Sequence, residues 1–454
     1  MTEQLKKLIL LLCILVSPCL GLAENLTLSN AVDLTLSNNP KLQVAQYGVL
    51  SSNEKITQAR SGAIPQVRIS EQLSHTTNPM WAFGTRLNQQ SITTLDFDPN
   101  QLNNPDGLTN YATVLSINWP VYDSGQTWYG LQQAQLNQKA ANVSEDRTRQ
   151  QAIAGTITAY IQVLLVLENQ QVLRKIHETA KSHLNLIQSR YNGGFVAKSD
   201  LLRAQVRIAD LEQQMMEIQS QADIARCSLN IAMGMDPDLH YTLISPLEPG
   251  SPVTGNLDSW INTALSNRPD LKQLALQKQI AQKEIDKSKA LRYPSVNLAG
   301  NYEINSEALD QTGSNYTVGG IVSIPLFSGG RVSAKIREAR INLKQIQTLL
   351  KSMKQQVCAQ TRQAFFNTQS AWSRISVAQA AIGQSEESLR IVKNRYENGL
   401  FTITDLLDAQ VMVQQSLTHH LKAIYDYKAA VTRLDLAAGT IETSPQKNNQ
   451  ERHP

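Results

Sequence analysis

A chain of 454 residues is long enough for two or three domains, or for one elongated one. Only 18% of it is charged and 6% aromatic, against 41% hydrophobic. The mean hydropathy is −0.28, and beyond residue 23 no apolar run approaches the ~18 residues of a membrane helix, which argues against an α-helical membrane protein. Lys and Arg number 42 against 38 acids, a net +4 with no large basic block, so nothing points to nucleic acid as a partner.

The first 23 residues read as a secretory signal peptide. Lys6 and Lys7 supply the positive start, Leu8 to Val16 the apolar stretch, and Gly21-Leu22-Ala23 the small residues before a cleavage site. Cys19 raises lipid anchoring as an alternative. Pro18 before it and Val16 at −3 suit lipidation badly, so simple cleavage before Glu24 is preferred. The mature chain then keeps Cys227 and Cys358, too few for a disulfide framework.

From Glu24 onward the chain is duplicated. Leu36-Ser-Asn-Asn-Pro-Lys-Leu42 recurs as Leu265-Ser-Asn-Arg-Pro-Asp-Leu271, and Pro65 recurs as Pro294. Pro120-Val-Tyr-Asp-Ser-Gly125 meets Pro325-Leu-Phe-Ser-Gly-Gly330. The run from Arg190 to Val206 meets that from Arg395 to Val411, with nine of 17 positions identical. Two copies this long predict pseudo-symmetric packing. The first repeat spans residues 24–232 and the second 256–439. A Pro/Gly-rich connector (233–255) lies between them, and a polar tail follows from 440 to 454.

Each repeat reads as helix, strand pair, long helix, turn and helix. In the first, strands lie within 66–119, followed by helices over 126–191 and 199–232. In the second, the strand pair covers 295–325 and the helices cover 331–395 and 402–438. Ile153, Ile157, Tyr160, Leu164 and Leu167 alternate spacings of four and three, a coiled-coil seam. The turns Asn192-Gly193-Gly194 and Asn398-Gly399 end the long helices, and Ser199 and Thr404 are candidate caps for the next ones. The strands alternate apolar and polar residues: Val67, Ile69 and Leu73, then Leu115, Ile117 and Trp119, Val296 to Ile304, and Tyr316 to Ile324. That pattern fits a transmembrane barrel around water, with Trp119, Tyr122, Trp128 and Phe327 as an aromatic belt. It fits equally a soluble sheet packed on one face. Four strands cannot close around a channel, so membrane strands here require an oligomer.

The signal peptide, the duplicated helix–hairpin–long-helix unit and the repeated Arg-Tyr-x-x-Gly…Asp-Leu-Leu-x-Ala-Gln-Val turn resemble the TolC family of outer-membrane efflux proteins, over nearly the whole mature chain. The resemblance implies a mixed fold: a homotrimer whose antiparallel coiled-coil helices form a periplasmic tunnel. Each protomer gives four strands to a shared twelve-stranded barrel in outer-membrane lipid. The insertion from about His75 to Asn110 becomes the larger extracellular loop, and about Asn305 to Asn315 the smaller. The connector sits near the tunnel's equator.

By the same resemblance, acids at the start of the last long helix ring the closed periplasmic entrance. The matching residues are Asp405 and Asp408, three apart and so on one helix face. A carboxylate ring favours cations, whereas an acid in a first helical turn also stabilises the helix dipole whatever its function. Asp200 repeats Asp405, so both readings of Asp405 stand. Asp408 is matched in the first repeat by Arg203, so duplication does not require an acid there. The family also latches its entrance by polar links between hairpins. Tyr396 matches the latch tyrosine, Ser199 and Asp200 the Thr-Asp pair, and Phe401 stands where the family has arginine. Coiled-coil packing is the other reading of Tyr396, and at Phe401 at most an apolar contact is expected.

No catalytic, cofactor or metal constellation is read from the sequence. The seven histidines are scattered, and the Gly-Gly pairs lack a phosphate-binding context. The expected protein is not an enzyme. It is a passive exit duct whose tips, with Gly193, Gly194, Asn398 and Gly399, dock onto a periplasmic adaptor (membrane fusion) protein and an inner-membrane pump. A type I protein-secretion channel uses the same duct. A periplasmic coiled-coil scaffold without a barrel is the reading from another class.

Overall fold

A computed structural model describes residues 24–308 and 312–441. The expected signal peptide, Cys19 and the polar tail beyond residue 441 lie outside the described residues. The chain divides into two compact units. Residues up to Gln46, Ser144–Leu271 and those from Met353 onward form the first; Tyr47–Val143 and Lys272–Ser352 form the second. Each unit therefore draws on both sequence repeats.

The second unit holds a four-stranded antiparallel sheet. Its strands are β2 (Gln66–Thr76), β3 (Leu108–Tyr122), β5 (Ser295–Ser306) and β6 (Thr312–Ser323), in the order β2-β3-β5-β6. The two hairpins of the repeats are thus joined edge to edge by β3 and β5. Register carries the alternation straight across the sheet: Val67 faces Ile117, Ile117 faces Gly300 and Gly300 faces Val318. The next row is Ile69, Leu115, Tyr302 and Tyr316. On the other face run Arg68, Ser116, Asn301 and Thr317, then Ser70, Val114, Glu303 and Asn315. One face is apolar and one mainly polar, as period-2 geometry dictates. The apolar face is open: Ile69 is 71% exposed, Tyr316 77% and Val318 76%.

The strands reach further than their alternation suggests, and the expected loop of 75–110 is ordered structure between Thr76 and Leu108. It holds helix α3 (Pro79–Asn88), a 3-10 turn over Thr94–Phe97 and helix α4 (Pro99–Asn103). Asn78 caps α3 by accepting from the Met80 amide at 3.1 Å, with Pro79 preset for the first turn. Arg86 pairs with Asp96 at 2.8 Å, and Phe83 meets Phe97 edge to face at 5.8 Å. Of the proposed belt, Trp119 donates to the Ala63 carbonyl at 3.1 Å, Trp128 lies in the first turn of a helix, and Phe327 is 90% exposed.

The first unit is helical. It contains α1 (Leu28–Asn38), α6 (Lys198–Met233), α7 (Leu257–Asn267), α10 (Ile403–Ala438) and parts of α2 (Pro40–Ser61), α5 (Gln126–Asn192), α8 (Pro269–Ala290) and α9 (Arg331–Glu397). Its main core joins Tyr160 and Val163 to Val166 of α5 with Leu229 and Met233 of α6, and with Ile375, Ile424 and Tyr427 of α9 and α10. The connector is not mere loop: β4 (Tyr241–Leu243) pairs in parallel with β1 (Glu24–Leu26), and Tyr160 ties them in by donating to the Leu26 carbonyl at 2.8 Å. Three-residue strands carry too little alternation to read from sequence.

The repeat is visible atom by atom at two helix ends. After α6, Gly234 adopts φ +75°, and a Cβ there would lie 2.8 Å from the Asn39 Cα and against the Asn38 carbonyl. Asn39 Nδ2 donates to the Ala232 carbonyl at 2.8 Å. After α10, Gly439 adopts φ +71° over Arg268, the repeat partner of Asn39. Arg268 reaches the Ala437 carbonyl, Arg147 the Leu436 carbonyl at 3.1 Å, and Gln150 the Gly439 carbonyl at 3.1 Å. These donors satisfy the orphan carbonyls of a helix end and its negative dipole. Buried Arg268 is balanced by Asp270 at 2.5 Å. Burial works to raise the Asp270 carboxyl, but the Arg268 hydrogen bonds and the charges of Arg268 and Arg147 outweigh it and hold it below its ordinary value.

Gly234→Ala is expected to destabilise the helical unit by about 1–3 kcal/mol, since it combines a left-handed φ with a backbone clash. Gly439→Ala, whose nearest contact is 3.2 Å, is expected to cost less. Thermal unfolding of the two variants, followed by helical circular dichroism, measures the difference. Equal midpoints would contradict the packing described.

Candidate functional site

The residues predicted for the entrance, latch and adaptor contacts gather where the two helical hairpins of the first unit turn. Both turns have the same geometry. Phe195 N donates to the Arg190 carbonyl at 2.9 Å, and Leu400 N to the Arg395 carbonyl at 2.9 Å. Gly194 and Gly399 supply φ +76° and +74°. This is the left-handed helix end that glycine favours. Phe195 is 83% and Leu400 73% exposed. They are repeat partners, one large apolar side chain at the outermost point of each turn. Comparing the repeats position by position would have found them.

A small core lies behind the turns: Ile187, Leu201, Ala204, Tyr396, Ile403 and Leu406, with Phe401 and Tyr191 packed against it. Both hairpins contribute, so the tips of one protomer form one body. Polar links reinforce the pairing. Arg190 donates to the Glu397 carbonyl at 3.1 Å and lies 5.7 Å over the Tyr396 ring. Arg203 donates to Thr404 Oγ1 at 3.0 Å, and Arg207 to Gln414 Oε1 at 2.6 Å. Sequence reasoning missed these arginines as a set, although Arg203 and Arg207 are four apart and share a helix face.

The caps differ from expectation. Thr402, not Thr404, caps α10: Asp405 Oδ2 accepts from Thr402 N at 2.8 Å and from Thr402 Oγ1 at 2.6 Å, a capping box. In the first repeat the cap position is Ala197, not Ser199, and without a hydroxyl no box forms. Ser199 instead reaches Asp200 Oδ1 at 3.4 Å. Hydrogen bonds from the Thr402 side chain and backbone hold the Asp405 carboxyl below its ordinary value. Asp408, one turn on, is exposed and has no hydrogen-bond or ion-pair partner among the described residues. The two acids of the expected entrance ring thus stand in different states, one tied to its own helix and one free.

Within one protomer the expected latch is not joined. The Tyr396 hydroxyl is buried and has no hydrogen-bond partner among the described residues. Burial raises its pKa, with Asp200 adding to the rise and Arg190 opposing it, so Asp200 is near but not bonded. Phe401 does more than make an apolar contact: the Arg395 guanidinium lies 5.3 Å from its ring centroid, a cation–π contact. An arginine at 401 would meet Arg395 with like charge. Among the described residues no group of three or more His, Cys, Asp or Glu is placed to hold a metal ion.

One unit thus carries paired helical hairpins and the other an open sheet with one apolar face, a combination found in channel-forming proteins of the outer membrane. The chain matches the family of outer membrane efflux proteins over residues 31–235 and 260–440, and it belongs to that family of the outer membrane. It is 23% identical over 444 residues to the proteases secretion protein PrtF of Dickeya chrysanthemi, covering 95% of this chain and 92% of that one. It is 22% identical over 454 residues to outer membrane protein TolC of Salmonella enteritidis, covering 96% and 87%. In fold it is similar to the CmeC outer membrane channel of Campylobacter jejuni, with a TM-score of 0.75, 18% identity and coverage of 93% and 88%. VceC of Vibrio cholerae gives 0.73 at 18% identity, covering 91% and 96%.

Thr402→Ala is expected to speed amide hydrogen exchange at residues 403–407. Because folded Asp405 titrates below its ordinary value, its stabilisation is present above about pH 4 and is lost as pH falls through the lower folded pKa. Wild-type exchange at these amides should therefore quicken in acid beyond its intrinsic pH dependence, and Thr402→Ala, which keeps only the backbone bond to Asp405, should show a smaller step. Identical profiles would return Asp405 to a solvated side chain.

Proposed function

We propose that three copies close their sheets into one twelve-stranded barrel across the outer membrane, and that their helices line a periplasmic tunnel. The assembly serves as a passive exit duct for small-molecule export, receiving cargo from a periplasmic adaptor and an inner-membrane pump. One observation carries this reading: a four-stranded sheet whose apolar face is exposed and whose outer strands β2 and β6 are each paired on one side only. In lipid such a face is stable, but unpaired strand edges are not, so further strands must complete the ring.

The helical tips meet the adaptor. Phe195 and Leu400 offer it apolar contact, with Gly193, Gly194, Asn398 and Gly399 shaping the turns. Asp405 and Asp408 of each protomer face the entrance and favour cations. Tyr396, with its buried unbonded hydroxyl, and Ser199 and Asp200 of a neighbouring protomer form the candidate latch. Protein secretion through the same duct is a second reading. It is favoured by full-length similarity to PrtF and to the alkaline protease secretion protein AprF of Pseudomonas aeruginosa, 23% identical over 431 residues.

Single-channel recording of detergent-extracted protein in planar bilayers tests the duct. Wild type should show a small, cation-preferring conductance. Asp408→Asn should weaken the preference more than Asp405→Asn, because the Asp405 carboxylate is engaged by Thr402. A channel indifferent to both substitutions would leave Asp405 a helix cap and Asp408 a solvated side chain. Protein recovered without detergent and without conductance would point to a periplasmic scaffold. In cells lacking their own duct, restored protease secretion without restored efflux would favour the second reading.

A further inference from the structure

The polar face of the sheet is not uniformly open. At the end of β3 nearest the 77–107 segment, Leu108, Asn110 and Ala112 all lie on that face, and all three are buried. So is Asn305, on the same face at the end of β5, at 2% exposure. What covers this end is the 77–107 segment, which has no counterpart in the second repeat. Helix α3 touches β3 and also β6, two strands away in the sheet, so it crosses β5. Ala82 and Gln89 are buried with it, at 2% and 4%.

A chain of amides fastens the segment down. Gln89 Nε2 donates to the Thr109 carbonyl at 2.9 Å and to Asn110 Oδ1 at 2.9 Å. Asn110 Nδ2 donates in turn to Asn305 Oδ1 at 2.8 Å. Gly313, in register with Asn305, allows the close approach. A Cβ on it would fall 2.7 Å from the Gln89 carbonyl carbon and onto the Asn88 carbonyl oxygen. The fastening is incomplete at both ends: buried Gln89 Oε1 and Asn305 Nδ2 have no hydrogen-bond partner among the described residues. Buried amide atoms without partners are costly and gain water when uncovered. The closed arrangement is therefore only modestly favoured, as suits a part that lifts.

We propose that residues 79–103 are a lid folded inward over the exit of the duct, held on the polar face by the Gln89–Asn110–Asn305 amide chain. This rests on the barrel reading above, in which the polar face lines the lumen. The lid gives the duct a size-selecting constriction at its outer mouth. It holds back bulky solutes and lifts to release cargo.

Thiol accessibility from outside intact cells tests the lid apart from any gate at the tips. Cys227 and Cys358 are first replaced by serine. A cysteine is then placed by Asn301→Cys, on the polar face below the covered end, or by Val318→Cys on the opposite face. The probe is a membrane-impermeant maleimide carrying a polyethylene glycol chain. Labelling of the first should be slow with the lid intact. It should rise about fivefold to tenfold with Gln89→Ala, the population shift expected from lost amide bonds, and likewise with Gly313→Ala, which wedges the lid away. Recovery in the outer membrane is checked for each variant. An equal rate in all three backgrounds overturns the lid. In the Gln89→Ala background, equal labelling of the Asn301→Cys and Val318→Cys proteins overturns the barrel reading, and the lid with it.

Discussion

An antiparallel sheet with unpaired edges and an exposed apolar face is the constraint from which the rest follows. Backbone N–H and C=O groups on the outer sides of β2 and β6 lack strand partners, and Ile69, Tyr316 and Val318 are left exposed. In the barrel proposed above, neighbouring copies and lipid meet both needs. The register that lines up Val67, Ile117, Gly300 and Val318 is set by the period of two; a slip of one residue would turn every apolar side chain to the polar face. The same register therefore keeps Arg68, Asn301 and Glu303 together on the other side, where a water-filled lumen would be.

Duplication gives the molecule two copies of most devices, and the chemistry lies where the copies differ. Gly234 and Gly439 end equivalent helices against Asn39 and Arg268, yet only the second site carries a buried ion pair. Thr402 builds a capping box with Asp405, while Ala197 leaves Asp200 without one. Asp408 replaces Arg203, which links the two hairpins through Thr404. The segment over Asn110 and Asn305 exists in the first copy alone. Residues that are identical in both copies, such as Leu201 and Leu406, build the shared core behind the tips.

The tips show why motif matching and geometry answer different questions. Resemblance drew attention to Tyr396, Ser199, Asp200 and Phe401 as a latch between hairpins. Within one protomer the hairpins are joined instead by Arg190, Arg203 and Arg207, and Tyr396 enters the core with its hydroxyl unbonded. Phe401 is engaged by Arg395 from its own hairpin.

Sequence alone determined what depends on local periodicity and punctuation. The long helices, their glycine turns, the two-faced strands and the duplication were legible because spacing, proline-free runs and repeated words are properties of the chain in order. The pairing of Asp405 and Asp408 on one face was legible for the same reason. Tertiary structure alone decided how distant segments meet. It joined β3 to β5, paired β1 with β4, and folded 79–103 onto the polar face through Gln89 and Gly313. It also chose Thr402 over Thr404 as the cap, because capping turns on the backbone angle at one residue rather than on residue type alone. Contacts across a hundred or more residues, such as Asn110 with Asn305, leave no mark in local pattern, since the free energy that selects them is collective packing and amide pairing rather than propensity.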